Sequence, residues 1–186
     1  MYILNKYYNK CMNFKDILYE LDICINNRTY YAALTLSLII PDVCSQVLYG
    51  VDKGKGEYYR QWFDEYVGKK QDMLYQCGLT EQHSITGHII WNLRNNVFHC
   101  GLPTSNKSND IIYYFNFNIS NTCYRSYTER SGIVKITINV PYLCEIIYNA
   151  GKDFYLDNEE KFKNANNWEE ALPNHLKVRN IDDLLL

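Results

Sequence analysis

The chain has 186 residues, of which 47% are apolar and 22% charged, with a formal net charge of −2. That length suits one domain able to bury a core without disulfides or a structural metal. The charge excludes a protein that grips nucleic acid through a generally basic surface, so any RNA contact must come from a local patch or a groove between subunits.

Met1 to Met12 lacks the apolar run of a signal peptide. Asn13 is a candidate N-cap for a first helix, with Phe14, Ile17, Leu18, Leu21 and Ile25 at helical spacing and Asn26-Asn27 as its end. A second helix is expected from Thr29 through Ile40, apolar on most sides and therefore central. Its most apolar part, Ala32 to Ile40, is too short to span a membrane. Pro41 must kink this helix or split it, leaving a second piece that ends near Gly50.

Val51 to Gly56 is a loop rich in glycine and lysine. A third helix follows over Glu57 to Val67, with Tyr58, Trp62, Phe63 and Tyr66 on one broad face. After a connector at Lys69 to Leu79, a strongly patterned helix is expected from Thr80 or Ser84 to His99, stopped by Gly101 and Pro103.

The character then changes. Ile111 to Ile119 is β-branched and aromatic, and Gly132 to Val140 alternates as a strand. Between them Asn121 to Ser131 reads as a polar, turn-rich excursion, so a β-hairpin of two or three strands is expected. Pro141 opens a last main helix through Leu143, Ile146, Ile147 and Phe154. The tail from Asn158 is polar, with Trp168, Leu172 and a terminal leucine run that can dock on the bundle. The expected fold is mainly α: one domain over 1–186, with a helical core at 13–103, a β-hairpin insert at 104–140, and a final helix and tail at 141–186.

Seven cysteines with no CxxC pair and no zinc spacing suit a reducing cytoplasm, with most thiols acting as small buried hydrophobes. No metal and no cofactor is expected. His83 and His88 stand at no recognised ligand spacing to His99 and read as polar-face residues. Gly54-Lys55-Gly56 lacks the pattern of a phosphate loop. Cys100 and its neighbour His99 point about 100° apart on a helix, which rules against a nucleophile–base pair. Arg60 reads as a stacked surface residue before a phosphate contact. The aromatic third helix reads as core or dimer interface rather than a base-stacking surface.

On the helix ending at His99, Ile90, Leu93 and Val97 form the buried stripe. His88, Asn92, Asn95, Asn96 and His99 line the opposite face, and Arg94 lies at one edge beside Trp91 and Phe98. An amphipathic helix needs a polar side, which is the ordinary explanation of that face. Asparagine is a mediocre helix former, however, and three of them between two histidines suggest hydrogen-bonding work. Asp42, after the kinking Pro41, is expected to cap its helix before it faces the same cleft.

The run Arg94-Asn95-Asn96-Val97-Phe98-His99 resembles the Arg-x4–6-His signature of the HEPN superfamily, including a polar residue directly after the arginine. Tyr31-Ala32-Ala33-Leu34 to Ile40-Pro41-Asp42-Val43-Cys44 and Tyr59-Arg60-Gln61-Trp62-Phe63 are similar to an uncharacterised bacterial and phage-associated HEPN-like group. The resemblance covers about the first hundred residues.

It implies a metal-independent endoribonuclease in defence, abortive-infection or toxin systems, usually a homodimer, with a neutralising antitoxin or other protein partner conceivable in that setting. By position Arg94 and His99 are then the catalytic pair and Asn95 the adjacent polar residue. Asp42, Asn96, Asn92 and His88 are the candidate substrate contacts. Histidine serves as acid or base near neutrality, and arginine matches phosphate oxygens with a fork of donors. His99 falls in the last helical turn, where the helix dipole favours a cation.

Residues five apart on a helix point about 140° from each other. Arg94 and His99 of one chain therefore converge only if the helix loosens or two copies share a cleft. Asn95, four residues before His99, is placed to orient its ring. The other reading is a non-catalytic HEPN-like scaffold that binds a protein through this face. A small-molecule nucleotide-binding or transfer domain has only fold-level analogy behind it.

Overall fold

Asn13 opens the first helix, α1 (Phe14–Asn26), through a reciprocal capping box. Its Oδ1 accepts from the Asp16 N–H at 3.1 Å, and the Asp16 carboxylate accepts from the Asn13 N–H at 3.0 Å. Two donors that the helix end would otherwise leave unpaired are thereby satisfied. Asn13→Ala is expected to destabilise the protein by about 1 kcal/mol, measured as a lower midpoint of urea unfolding at unchanged slope. The computed structural model describes residues 13–50, 55–68, 85–101, 106–108, 111–117, 125–130 and 133–165.

The apolar segment after α1 is split as Pro41 requires. It forms α2 (Tyr30–Ser37) and α3 (Ile40–Tyr49), with the proline in the first turn of α3, where its missing N–H is harmless. Tyr30–Tyr49 is long and apolar enough by composition alone to cross a membrane. The break between the two helices and the complete burial of Leu34, Leu38, Ile40 and Cys44 identify it as core.

Helix α4 (Lys55–Tyr66) places Tyr59, Trp62 and Phe63 fully inside. Helix α5 (Gly87–Cys100) begins later than the expected Thr80 or Ser84, with Thr86 extended as its N-cap. Its first turn lies hard against α4, and the Gly87 N–H donates to the Asp64 carboxylate at 2.6 Å. Gly101 ends the helix in the left-handed conformation, φ 70°, and donates to the Val97 carbonyl. The connector at 69–79, the alternative helix starts at 80 and 84, and the tail bearing Trp168 and Leu172 lie outside the described residues.

The insert comprises β1 (Asn106–Ser108), β2 (Ile111–Asn116), β3 (Arg125–Arg130) and β4 (Ile133–Asn139), ordered β1-β2-β4-β3. This corrects the expected arrangement. The two strongly β-forming runs, β2 and β4, pair in parallel, with Tyr113 opposite Ile136 and Phe115 opposite Ile138. The segment expected to be turn-rich supplies β3, which pairs antiparallel with β4 as a hairpin.

Alternation reports which face of a strand is buried and carries no information about strand direction. The two edge strands, Asn-Lys-Ser and Arg-Ser-Tyr-Thr-Glu-Arg, are polar, which guards the sheet against further pairing. The inner pair turns Tyr113, Ile136 and Ile138 into the core.

Strand β4 runs straight into α6 (Val140–Asp157), whose N-cap Asn139 accepts from the Tyr142 N–H, and α7 (Glu159–Ala165) follows. Helix α6 packs against α1, α2 and α3, while α4 packs on α3 and α5. The protein is mainly α, with the β insert before its last long helix.

Candidate functional site

The sequence of α5 separates its faces as its spacing predicts. Ile89, Ile90, Leu93 and Val97 are buried, and Phe98, His99 and Cys100 are exposed at the C-terminal end. Arg94 lies between these regions, its side chain 26% exposed. It reaches across to α3, where Asp42 sits in the first turn with a side chain 18% exposed.

The Asp42 Oδ2 accepts from Arg94 Nε at 3.2 Å and from Nη2 at 3.1 Å. Arg94 Nη1 donates to Asn95 Oδ1 at 3.2 Å. The guanidinium carbon lies 5.1 Å from the Trp91 ring centre and 5.1 Å from that of Phe98. Those residues stand three before and four after Arg94, the spacing that brings side chains together on a helix. Three of the five guanidinium N–H groups are used in these bonds, which leaves two for another acceptor.

The floor of this cluster is closely packed. Trp91 meets the Tyr59 ring edge-on at 5.1 Å, and Gly56 of α4 fits against it so closely that a Cβ there would lie 3.0 Å from the indole. Tyr59 is fully buried and donates to the Leu38 carbonyl at 3.2 Å. Burial pushes the Tyr59 pKa well up, and the Asp42 charge adds to the rise while Arg94 opposes it. The tyrosine is therefore a neutral support beneath the ion pair.

Asp42 does not act as the N-cap of its helix, a place taken by Ile39 with no side-chain bond. Its carboxylate faces Arg94, 52 residues away in the chain. The pair is neither fully buried nor free in solvent. Its loss would leave a half-shielded cation, so Asp42→Ala is expected to destabilise the protein by about 1–3 kcal/mol. Urea unfolding followed by far-UV circular dichroism measures this directly.

His99 is exposed in the last turn of α5 and makes no hydrogen bond or ion pair with the described residues. Asn95, expected to orient the His99 ring, spends its carbonyl oxygen on Arg94 instead. His88 and Asn92 bond each other one turn apart, at 3.2 Å. Asn96 is half-buried and already engaged. The structure thus joins Asp42, Arg94 and Asn95 in one network and sets His88 with Asn92 in another, with His99 apart from both.

The end of α5 has a further neighbour that the sequence did not disclose. The Tyr31 hydroxyl donates to the Gly101 carbonyl, and the Tyr31 ring stacks on Phe117, just beyond β2, at 6.5 Å. The β insert therefore abuts the helix end that carries His99. No local pattern at Tyr31 signals this contact, which joins residues 70 apart in the chain.

Other candidates resolve into structure. The aromatic side of α4 is core: Trp62 stacks on Tyr66 at 5.3 Å and meets Phe154 edge-on at 5.7 Å. Tyr58 stacks on Tyr49 at 4.6 Å. Arg60 is half-buried, its backbone carbonyl directly under Gly87. His83 lies outside the described residues.

Cys44 and Cys144 are buried, and burial raises both thiols, that of Cys144 to about 12. Cys100 is exposed and Cys24 half-buried. Among the described residues no three His, Cys, Asp or Glu side chains converge as metal ligands. Compared with known proteins, the chain matches no family model, no curated protein and no solved structure.

Proposed function

We propose that this chain is a metal-independent endoribonuclease of the HEPN type, cytoplasmic and homodimeric, acting in a defence, abortive-infection or toxin setting. The observation that carries the reading is Arg94: a guanidinium fixed from two sides by Asp42 and Asn95, with two N–H groups still to give, on the helix that ends in an exposed His99. A pre-oriented arginine suits a phosphate whose charge rises in the transition state.

In the reaction, a base takes the proton of the 2′-hydroxyl. The 2′-oxygen forms a bond to the adjacent phosphorus, and the bond to the 5′-oxygen breaks. An acid returns a proton to that leaving oxygen, giving a 2′,3′-cyclic phosphate and a 5′-hydroxyl end. His99 supplies acid or base chemistry, and Arg94 donates to a non-bridging oxygen. Because the two diverge by about 140° on one helix, the complete site takes them from two copies of the chain. In a toxin setting a neutralising protein partner would cover the same face.

A second reading has a specific observation in its favour. Asp42 already offsets much of the Arg94 charge, and His99 stands in solvent without a polar partner among the described residues. A non-catalytic HEPN-like interaction module would look the same in a single chain.

Incubating end-labelled RNA with the purified protein in EDTA, beside Arg94→Ala and His99→Ala, separates the two. Cleavage lost in both variants supports the ribonuclease. A folded wild-type protein that cleaves none of a mixed RNA pool supports the module.

A further inference from the structure

We infer that Phe98 is a stacking platform for one unpaired base of a single-stranded RNA whose phosphate is held by Arg94, an assignment that rests on the ribonuclease reading for its substrate class. Phe98 is one of six large hydrophobic residues exposed among the described residues, and the one of them that lies against an arginine. It is 42% exposed, and no other aromatic ring packs against it among the described residues. The remaining rings about Arg94 are accounted for: Trp91 by Tyr59 and Gly56, and Tyr59 by the core.

What Phe98 does touch is the Arg94 guanidinium, whose carbon lies 5.1 Å from the ring centre. That contact fixes the ring beside a cation with two unspent N–H groups. It leaves a large part of the ring in solvent.

The occupant follows from the pairing of an apolar plane with a hydrogen-bonding cation. A ligand that satisfies both needs a flat aromatic part and an anion a few ångströms away, which describes one nucleotide with its base out of a helix. Base stacking on aromatic side chains tolerates every base, because each has a π face. A paired base would not reach the ring, since duplex RNA keeps its bases stacked and presents mainly backbone and hydroxyls. The substrate class is therefore single-stranded or looped RNA, with little preference for base identity at this position. A protein partner inserting an aromatic side chain is the competing occupant, and the test distinguishes it.

The experiment measures binding of a fluorescent single-stranded 2′-O-methyl oligonucleotide, which cannot be cleaved, by anisotropy. A backbone of the same length made wholly of abasic nucleotides serves as the comparison. Phe98→Ala is expected to weaken binding of the intact oligonucleotide by roughly five- to 150-fold, the range of one base–aromatic stack. Binding of the abasic strand should not change, and Phe98→Tyr, which keeps the flat face, should restore the affinity.

Equal affinity of Phe98→Ala and wild type for the intact strand overturns the platform. So does an equal loss on both strands, or no binding by the wild type. Wild-type protein that binds as expected but cannot cleave the unmodified strand overturns the ribonuclease and leaves the platform standing. Cleavage by a wild type whose affinity Phe98→Ala does not alter overturns the platform alone.

Discussion

Replacing His99 by alanine is expected to lower the rate of RNA cleavage by about 10²- to 10⁴-fold, the span of one positioned acid or base. Stability should barely move, because the side chain is exposed and makes no polar contact with the described residues. Arg94→Ala differs in kind. It removes a phosphate donor, an effect of about 10²- to 10³-fold on turnover, and it also breaks the ion pair with Asp42 and uncovers Trp91. Its melting temperature should therefore fall while that of His99→Ala stays near wild type. Steady-state cleavage kinetics beside thermal melts of both variants measure the contrast. Equal losses of stability in both would mean that His99 has a structural partner.

The largest effect on the fold is expected at Gly87. A Cβ built there would lie 2.3 Å from the Arg60 carbonyl oxygen and 2.6 Å from its Cα, both backbone atoms of α4 that have no rotamer to escape into. Gly87→Ala must push α4 and α5 apart and stretch the bond from the Gly87 N–H to Asp64. A loss of about 3 kcal/mol is expected, at the upper end for overpacking, which lowers the melting temperature by roughly 6–12 °C.

Gly56→Ala provides the contrast. There the nearest atom, at 3.0 Å, belongs to the Trp91 side chain, which can shift, so the loss should be smaller. Differential scanning calorimetry of the two variants decides the order. Comparable melting points would show that Gly87 sits no closer to the Arg60 backbone than Gly56 does to the Trp91 ring.

Much of this was legible in the sequence where a residue type acts locally. Asn13, Pro41 and Gly101 each punctuate the backbone by their own chemistry, and each stands at the boundary expected of it. The buried stripe of α5 followed from helical spacing for the same reason. Direction and distance were not legible. Strand alternation at 111–116 and 133–139 could not say that the two run parallel, nor that the polar segment between them forms β3.

At the site, the aromatic neighbours of Arg94 were readable because Trp91 and Phe98 lie on the same helix. The Asp42 contact was harder. A carboxylate after Pro41 is explained equally well by local capping, and only the packing of α3 and α5 on α4 brings it to Arg94. Asn95 shows the converse, since its spacing to His99 was favourable but a stronger acceptor duty to Arg94 claimed it. The contact from Tyr31 to Gly101 depends wholly on tertiary packing.

The chemistry of the cleaved ends tests the central claim most directly. Wild-type protein, in EDTA, is given one RNA strand and the same strand with a single 2′-deoxy nucleotide at the cleaved position, and the products are identified by mass. The account predicts 2′,3′-cyclic phosphate and 5′-hydroxyl ends from the first strand and no cleavage at the substituted site in the second. Cleavage at the deoxy position, or ends carrying 5′-phosphate, would contradict it, because attack would then come from water and not from the RNA's own hydroxyl.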